Sequence, residues 1–245
     1  MKILVCITHV PDTTTKISFT PDGKEFNAAG VTFIIGPYDD FALARAIELK
    51  EAQGGSVTAL NVGLAETEPT LRKALAIGAD DAIRINVNPT DAWQVAQEIA
   101  AVCKAEQYDL ILMGRESIDH NGGQVHGMVG ELLGIPSVAP VMRLDVVGGL
   151  ATVSKEIEGG KEVIEVNLPL VAGCQEPIAE WKIPNMRGIM GARTKPLKVV
   201  EPTVTATSTT VQQFSLPPAK GACKMIAADN VAELVDLLRN EAKVL

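Results

Sequence analysis

The first 134 residues alternate short apolar runs with amphipathic segments, and this alternation restricts the possible folds more than any other feature of the chain. The apolar runs are rich in Ile and Val, and most segments between them carry apolar residues at helical spacing. Such an order predicts an α/β protein with a mostly parallel, doubly wound sheet and helices on both faces. The predicted strands are "KILVCIT", "GVTFIIGP", "SVTALNVG", "DAIRINV" and "DLILMG".

Helix boundaries are marked by the residues that usually begin and end helices. Residues 68–77 are predicted to be helical, with Pro69 in the first turn and Gly78 just after the end. Thr90 or Asp91 is predicted to cap the next helix, because a short polar side chain there can accept a backbone N–H.

The pattern changes after Pro140. The segment "VMRLDVVGGLATVSKEIEGGKEVIEVNLPLVAGC" alternates apolar and polar residues between turns at Gly148–Gly149 and Gly159–Gly160. This pattern predicts an antiparallel meander that extends the sheet.

The last part of the chain is predicted to be an arm. Residues 1–196 are assigned to the α/β nucleotide-binding domain, and residues 197–245 to an extended, Thr- and Pro-rich arm ending in an amphipathic helix. Asp229 is the predicted cap of that helix, whose apolar stripe is Val231, Leu234, Val235 and Leu238. We expect the helix to dock on a partner subunit, the alternative being that it folds back onto its own domain.

Composition excludes several classes of function. The chain has 245 residues, a net charge of −8 and no basic stripe, which argues against nucleic acid and anionic membranes as partners. No apolar run approaches the roughly 18 residues that a membrane span needs. The four cysteines are scattered and no signal peptide is recognisable, so we expect a cytoplasmic protein with reduced thiols.

The stretch "GRESIDHNGGQV" follows the predicted strand "DLILMG" and is the main candidate site. Ligands of open parallel sheets bind beyond the carboxyl ends of the strands. Gly122 and Gly123 allow close backbone approach, and the next helix presents free N–H groups to a phosphate. Two other loops, at 36–40 and 61–63, are expected to converge on it and enclose an adenosine. A solvated connection is the alternative, and the residues alone leave both open.

No arrangement of residues favours catalysis or a metal. There is no GxGxxG after a strand and no P-loop, and His120 and His126 lack metal-ligand spacing. The pair Asp39–Asp40 is interpreted as capping or surface residues and not as an acid–base couple. We therefore predict a binding or carrier protein rather than an enzyme.

Several stretches resemble the β subunit of electron transfer flavoproteins over about residues 1–197. They are "MKILVCITHVPDTTTKI", "ALARAIELKEA", "TLRKALAIGADDAIRI", "GRESIDHNGGQVHG", "VSKEIEGGKEVIEVNLPLV" and "IPNMRGIMGARTKPL". The resemblance implies a Rossmann-like, adenine-nucleotide-binding fold and an electron transfer flavoprotein alpha subunit as partner. It also implies a redox FAD held mainly by that partner, a non-redox AMP in the β chain, and electrons accepted from a flavin-dependent dehydrogenase.

Carried over position by position, the resemblance implies a set of nucleotide contacts and a docking segment. The nucleotide contacts are Cys6, Gly36, Pro37, Tyr38, Asp39, Val62, Gly114, Arg115, Glu116, Ser117, Ile118, Asp119, His120, Asn121, Gly122, Gly123, Gln124 and Val125. The segment that would dock on a dehydrogenase contains Ile183, Pro184 and Met186, with Ile183 in the place of the apolar anchor.

Some positions depart from the commonest family pattern. Ala179–Glu180–Trp181–Lys182 replaces the usual sequence ahead of the anchor, which bears on whether the dehydrogenase is an acyl-CoA dehydrogenase. Asp39 and Gln124–Val125 resemble the electron-bifurcating members, in which a second FAD takes the place of AMP. We favour AMP, with a second FAD and a non-redox adenine-nucleotide-sensing module as alternatives.

Overall fold

A computed structural model describes residues 1–203 and 207–245. One large sheet with helices on both faces and one small two-stranded sheet account for its regular structure. The strands are β1 Lys2–Cys6, β2 His9–Pro11, β3 Phe33–Ile35, β4 Ser56–Val62, β5 Asp81–Ile85, β6 Leu110–Gly114, β7 Ser137–Val147, β8 Leu150–Ile157, β9 Gly160–Asn167, β10 Leu170–Cys174 and β11 Leu197–Val200. The helices are α1 Pro37–Gln53, α2 Glu68–Ile77, α3 Ala92–Ala105, α4 Val125–Leu133, α5 Met186–Ala192 and α6 Val231–Asp236.

The strand order of the large sheet is β11-β5-β4-β1-β6-β10-β7-β8-β9. The seven strands from β11 to β7 run parallel, which confirms the predicted α/β class. After β1 the chain builds β4 and β5 on one side, and it then crosses to place β6 on the other side. The carboxyl ends of β1 and β6 therefore meet at the point where the strand order reverses, which is where such sheets bind ligands.

Two apolar clusters cover the two faces of the sheet. Ile3 and Val5 of β1 pack with α1 and α2 on one face, whereas Leu4 and Cys6 pack with α3 and α4 on the other. All five residues of β6 are buried, as expected for a central parallel strand. The two helix layers fix the strands rigidly, and so they fix the loops at the strand ends.

The predicted meander is correct for β7, β8 and β9, which pair antiparallel. It is wrong for "LVAGC", which forms β10 between β6 and β7 and runs parallel to both. All five residues of β10 are buried. The physical reason is that an uninterrupted apolar run fits the centre of a sheet covered on both faces, whereas the exposed meander strands alternate.

Local signals predicted several helix boundaries correctly. Helix α2 spans the predicted residues 68–77, and the Asp91 side chain accepts the backbone N–H of Gln94 at 2.7 Å at the start of α3. At α6 the cap is Asn230, which accepts the N–H of Glu233 at 3.3 Å, and not the predicted Asp229. Strand β2, which pairs with β3, was not predicted, because three residues are too short for a periodic signal.

The arm departs from its predicted start. Residues 197–200 form β11 at the edge of the sheet, beside β5, so the sheet continues past residue 196. Asp91 then accepts the backbone N–H groups of Ser208 and Thr209 at 2.6 and 2.9 Å. Farther along, Phe214 stacks on Phe19 with ring centroids 5.1 Å apart.

Helix α6 lies beyond these contacts and buries no residue. Val231, Leu234 and Val235 are 61%, 42% and 39% exposed. These three side chains of the predicted stripe are exposed, whereas Leu238 is half-buried, and docking of the helix on a partner subunit stays a prediction. Within the described residues, no helix is long and apolar enough to cross a membrane, and the cytoplasmic location stays a prediction.

Candidate functional site

Asp39 joins the three chain segments that meet at the switch point. Its side chain is 3% exposed. One oxygen accepts the backbone N–H and the hydroxyl of Thr8, just after β1, at 2.8 and 2.5 Å. The other oxygen accepts the N–H of Gly114, at the end of β6, at 2.7 Å. Since Asp39 lies in the first turn of α1, this single carboxylate fixes the ends of β1 and β6 to the start of α1.

The interpretation of Asp39 as a capping or surface residue is therefore wrong. Burial raises its pKa to about 6, although the hydrogen bonds from Thr8 and Gly114 oppose that rise. These hydrogen bonds could not be predicted from the sequence, because Thr8 and Gly114 are far from Asp39 along the chain. Asp40, the next residue, is half-buried, and burial also raises its pKa to about 6 while Lys73 opposes the change.

Gly114 is required by close packing at this junction. A Cβ atom at this position would lie 2.7 Å from Asp39 Oδ1 and 2.7 Å from Tyr38 Cβ. The strand end and the segment 36–39 therefore touch directly. Of the three loops predicted to converge, those at 36–39 and 114–125 therefore lie side by side.

Arg115 is held by three groups. Its Nη1 donates to Gln175 Oε1 at 2.9 Å, and its Nη2 donates to Glu116 Oε1 at 2.9 Å. The guanidinium carbon lies 5.1 Å from the centre of the Tyr38 ring, a cation–π distance. Gln175 in turn donates to Glu156 at 3.0 Å. Gln175 and Glu156 were not predicted, because they lie in the segment after Pro140, which carries no local sign of proximity to this loop.

The rest of the loop is more open. Ser117 and Ile118 are half-buried, and the stretch from Asp119 to Gln124 is exposed. Asn121 and Gly123 adopt left-handed backbone conformations, with φ values of 49° and 58°. Helix α4 begins at Val125, two residues later than the start near Gly123 that we expected, and no side chain caps it. Its first N–H groups thus have neither an intrahelical partner nor a side-chain cap.

His126, in the first turn of α4, packs against the backbone of the candidate loop. Its imidazole lies beside backbone groups of Arg115 and Gly123, and burial lowers its pKa. A Cβ atom on Gly173 would lie 2.8 Å from the ring, so the packing there is tight. Across the described residues, no group of three or more His, Cys, Asp or Glu side chains is placed to hold a metal ion.

Cys6 and Val62 lie at the carboxyl ends of β1 and β4. Both pack on the side of the sheet covered by α3 and α4, which is also the side from which α4 starts. Burial raises the pKa of the Cys6 thiol well above its usual range, so this thiol is a packing group and not a nucleophile. Val62 is half-buried and contributes an apolar surface at the strand end.

A second exposed feature lies away from this edge. Ile183 and Met186 are 74% and 73% exposed, and Trp181, Ile189 and Met190 of the same region are also exposed. Helix α5 packs on α2, where Arg72 donates to the carbonyls of Ala192 and Lys195 at 2.9 Å each. Several exposed apolar side chains within ten residues of an anchored segment are typical of a protein interaction site.

Comparison with known proteins bears on what this site does. Residues 25–205 match the electron transfer flavoprotein domain. The chain is 36% identical to the electron transfer flavoprotein subunit beta of Bacillus subtilis (strain 168), with all of both chains covered. It is 35% identical to the subunit of the same name from Syntrophomonas wolfei, with all of this chain and 98% of the relative covered. The chain belongs to the electron transfer flavoprotein family, as a β subunit.

Other relatives of this β chain carry names of reductase complexes. It is 31% identical to a subunit of the caffeyl-CoA reductase-Etf complex of Acetobacterium woodii, with 99% of this chain and 98% of the relative covered. Proteins of this family are electron carriers, so the β chain is an electron-carrier subunit with an α subunit as its partner. The family also associates it with a flavin.

The raised pKa of Asp40 predicts a pH-dependent gain in stability for Asp40→Asn. The folded state binds the Asp40 proton more tightly than the unfolded state, so ionisation between about pH 4 and 6 costs the wild type stability as the pH rises. The variant cannot ionise there. We therefore compare the unfolding free energy of the variant with that of the wild type at each pH. The variant's advantage is expected to be about 1 kcal/mol larger at pH 7.5 than at pH 4, a value reduced to allow for the partial exposure of Asp40. Urea unfolding at both pH values measures this difference, and an equal difference at both would contradict it.

Proposed function

We propose that the β chain binds one AMP at the carboxyl edge of the sheet and, together with its α subunit, encloses an FAD through which electrons pass from a dehydrogenase to an acceptor. The observation that supports this proposal is the Asp39 junction, which brings the loops at 36–39 and 114–125 together at the switch point. Nucleotide sites of doubly wound sheets occupy this position.

The residues at this edge suit an adenylate. Gly36, Pro37, Tyr38 and the strand end at Val62 would contact the adenosine, and the uncapped first turn of α4 after Gln124 would hold the phosphate. Gly122 leaves room, since a Cβ atom there would meet nothing closer than 3.6 Å. When bound, the flavin supplies the redox chemistry, and the β chain binds and orients groups and excludes water.

Two alternatives make different predictions. A second FAD at the AMP position would make this a bifurcating electron transfer flavoprotein, which the resemblance at Asp39 and at Gln124–Val125 favours. A non-redox nucleotide-sensing module would bind its ligand without an α subunit, with α6 packed on its own domain. The exposed stripe of α6 counts against this second alternative.

The apolar patch around Trp181, Ile183, Pro184 and Met186 is the proposed docking surface for the dehydrogenase. Its exposure and its anchorage on α2 support this role. Trp181 is 59% exposed and gives the patch a large aromatic residue of the kind that dominates binding energy at interfaces. One candidate partner is an acyl-CoA dehydrogenase. The other is a different flavin-dependent dehydrogenase, whose surface is complementary to this patch.

The decisive experiment is to identify the nucleotides in the purified complex. Co-expression with the α subunit, followed by acid extraction and chromatography, is expected to give one AMP and one FAD per heterodimer. Two FAD and no AMP would instead establish the bifurcating type. A colourless complex without flavin would overturn the proposed function.

A pair of glycine variants tests the position of the site. Gly114→Val adds atoms where even a Cβ would lie 2.7 Å from Asp39, so we expect the complex to lose its AMP. Gly160→Val is the matched control, because Gly160 lies in β9, away from the site, and a Cβ there meets nothing within 4 Å. Circular dichroism must show that both variants fold. Full AMP content in folded Gly114→Val would place the nucleotide elsewhere.

A further inference from the structure

Glu116 occupies the part of Arg115 that would otherwise bind a phosphate. Both Nε and Nη2 of Arg115 donate to the same oxygen, Glu116 Oε1, at 3.2 and 2.9 Å. These two donors form the side-on fork with which arginine binds carboxylates and phosphates. The side chains are 38% and 20% exposed, so the pair lies at the surface of the site and not deep in the core.

The Glu116 carboxylate also lies within the turn of the candidate loop. Its second oxygen, Oε2, is 3.9 Å from the position that a Cβ atom on Gly123 would take. That turn leads directly into α4, whose first N–H groups are the proposed phosphate seat. A negative charge is therefore built in beside the place where the phosphate would lie.

The surrounding charges add to this effect. The loop 114–125 contains one cation, Arg115, and two carboxylates, Glu116 and Asp119, with no lysine. Glu156 lies behind Gln175 and contributes a further negative charge on the other side of Arg115. The positive charge of Arg115 is thus more than balanced before any ligand arrives, and each additional phosphate charge would be repelled.

We infer that Glu116 determines the ligand charge at this site, so that the β chain accepts an adenylate with a single or a diesterified phosphate group and rejects the free triphosphate. This inference rests on the proposed function, because it concerns the same site. It makes Arg115 a rigid orienting group, fixed by Glu116, Gln175 and Tyr38, and not the main phosphate ligand.

The test compares AMP and ATP binding to the heterodimer of the full-length chain and its α subunit, freed of AMP. Isothermal titration gives Kd for each nucleotide in wild type and in Glu116→Gln, which keeps the shape but removes the charge. We expect the ratio of the ATP Kd to the AMP Kd to fall about tenfold in the variant, and the fall to shrink in 0.5 M salt. Glu131→Gln, an exposed change on α4 with the same effect on net charge, should leave the ratio unchanged.

The outcomes separate the inference from the proposed function. An unchanged ratio in Glu116→Gln, or an equal change in Glu131→Gln, would overturn the role of Glu116 while AMP binding still supported the function. If wild type bound no adenine nucleotide, the proposed function would fail. In that case, binding of inorganic pyrophosphate to Glu116→Gln but not to wild type would support the charge selection, and binding to neither would overturn it.

Discussion

Removal of residues 215–245 is expected to lower the affinity of the β chain for its α subunit at least about a hundredfold and to leave the domain folded. Phe214 holds the arm on the domain, since it stacks on Phe19 and donates its N–H to the carbonyl of Gly23 at 2.7 Å. Beyond it, α6 carries an exposed apolar stripe that buries nothing in the isolated chain. Full burial of a Val or Leu side chain contributes about 1.5–3 kcal/mol, so two such residues at the interface account for a loss of this size.

Point variants show whether α binding depends on the apolar stripe of α6 or only on the presence of the arm. Leu234→Asp places a charge on the apolar face and should weaken α binding almost as much as the deletion. Asp236→Ser, on the same helix, should have little effect. Biolayer interferometry with immobilised α subunit measures all three, and circular dichroism confirms that the domain is folded. Binding of the truncated chain at wild-type strength would show that the arm is not the docking element.

Asp39→Asn is expected to lower the unfolding free energy at pH 7.5 by about 1–2 kcal/mol and to abolish nucleotide binding, because the loss of its hydrogen bonds outweighs the relief from the ionisation cost that its raised pKa implies. The amide keeps the volume of the carboxylate but offers one acceptor oxygen in place of two. Its NH₂ group would face an N–H of either Thr8 or Gly114, both now bonded to the carboxylate at 2.8 and 2.7 Å. A buried donor left without an acceptor costs about 1–3 kcal/mol, and the opposed dipoles add to that cost.

Asp40→Asn is the matched control for this prediction. It makes the same chemical change one residue later, in a half-buried carboxylate that accepts no hydrogen bond from β1 or β6 in the described structure. Urea unfolding at pH 7.5 should show a loss for Asp39→Asn and none for Asp40→Asn. If Asp39→Asn unfolds with the wild-type midpoint, the carboxylate does not hold the three segments together.

Local signals in the sequence were sufficient for most of the fold. Helix α2 and the cap at Asp91 follow from residues a few positions apart, whose physical effects are local. Strand β10 was assigned to the meander because "LVAGC" continues an alternating region, and only its complete burial distinguishes it. The position of a strand within a sheet depends on distant partners, so a run of five apolar residues does not specify it.

The candidate site was also predicted only in part. The rule that ligands bind at the carboxyl ends of parallel strands predicted which loops would converge, and the loops at 36–39 and 114–125 do meet. The groups that join them were not predicted. Thr8 and Gln175 have ordinary local contexts, and their roles come from contacts with Asp39 and Arg115 across many residues.

The points at which the arm is attached to the domain also limit how far α6 can reach. Contacts of Asp91 with Ser208 and Thr209, and of Phe19 with Phe214, hold the arm on the domain ahead of residue 215. The connecting residues 215–230 then span at most about 55 Å when fully extended. Within that radius the tether raises the local concentration of α6 around any α subunit already touching the domain, so a weak first encounter becomes a lasting one. Shortening or stiffening this connector would therefore change the lifetime of the complex without altering a single interface residue.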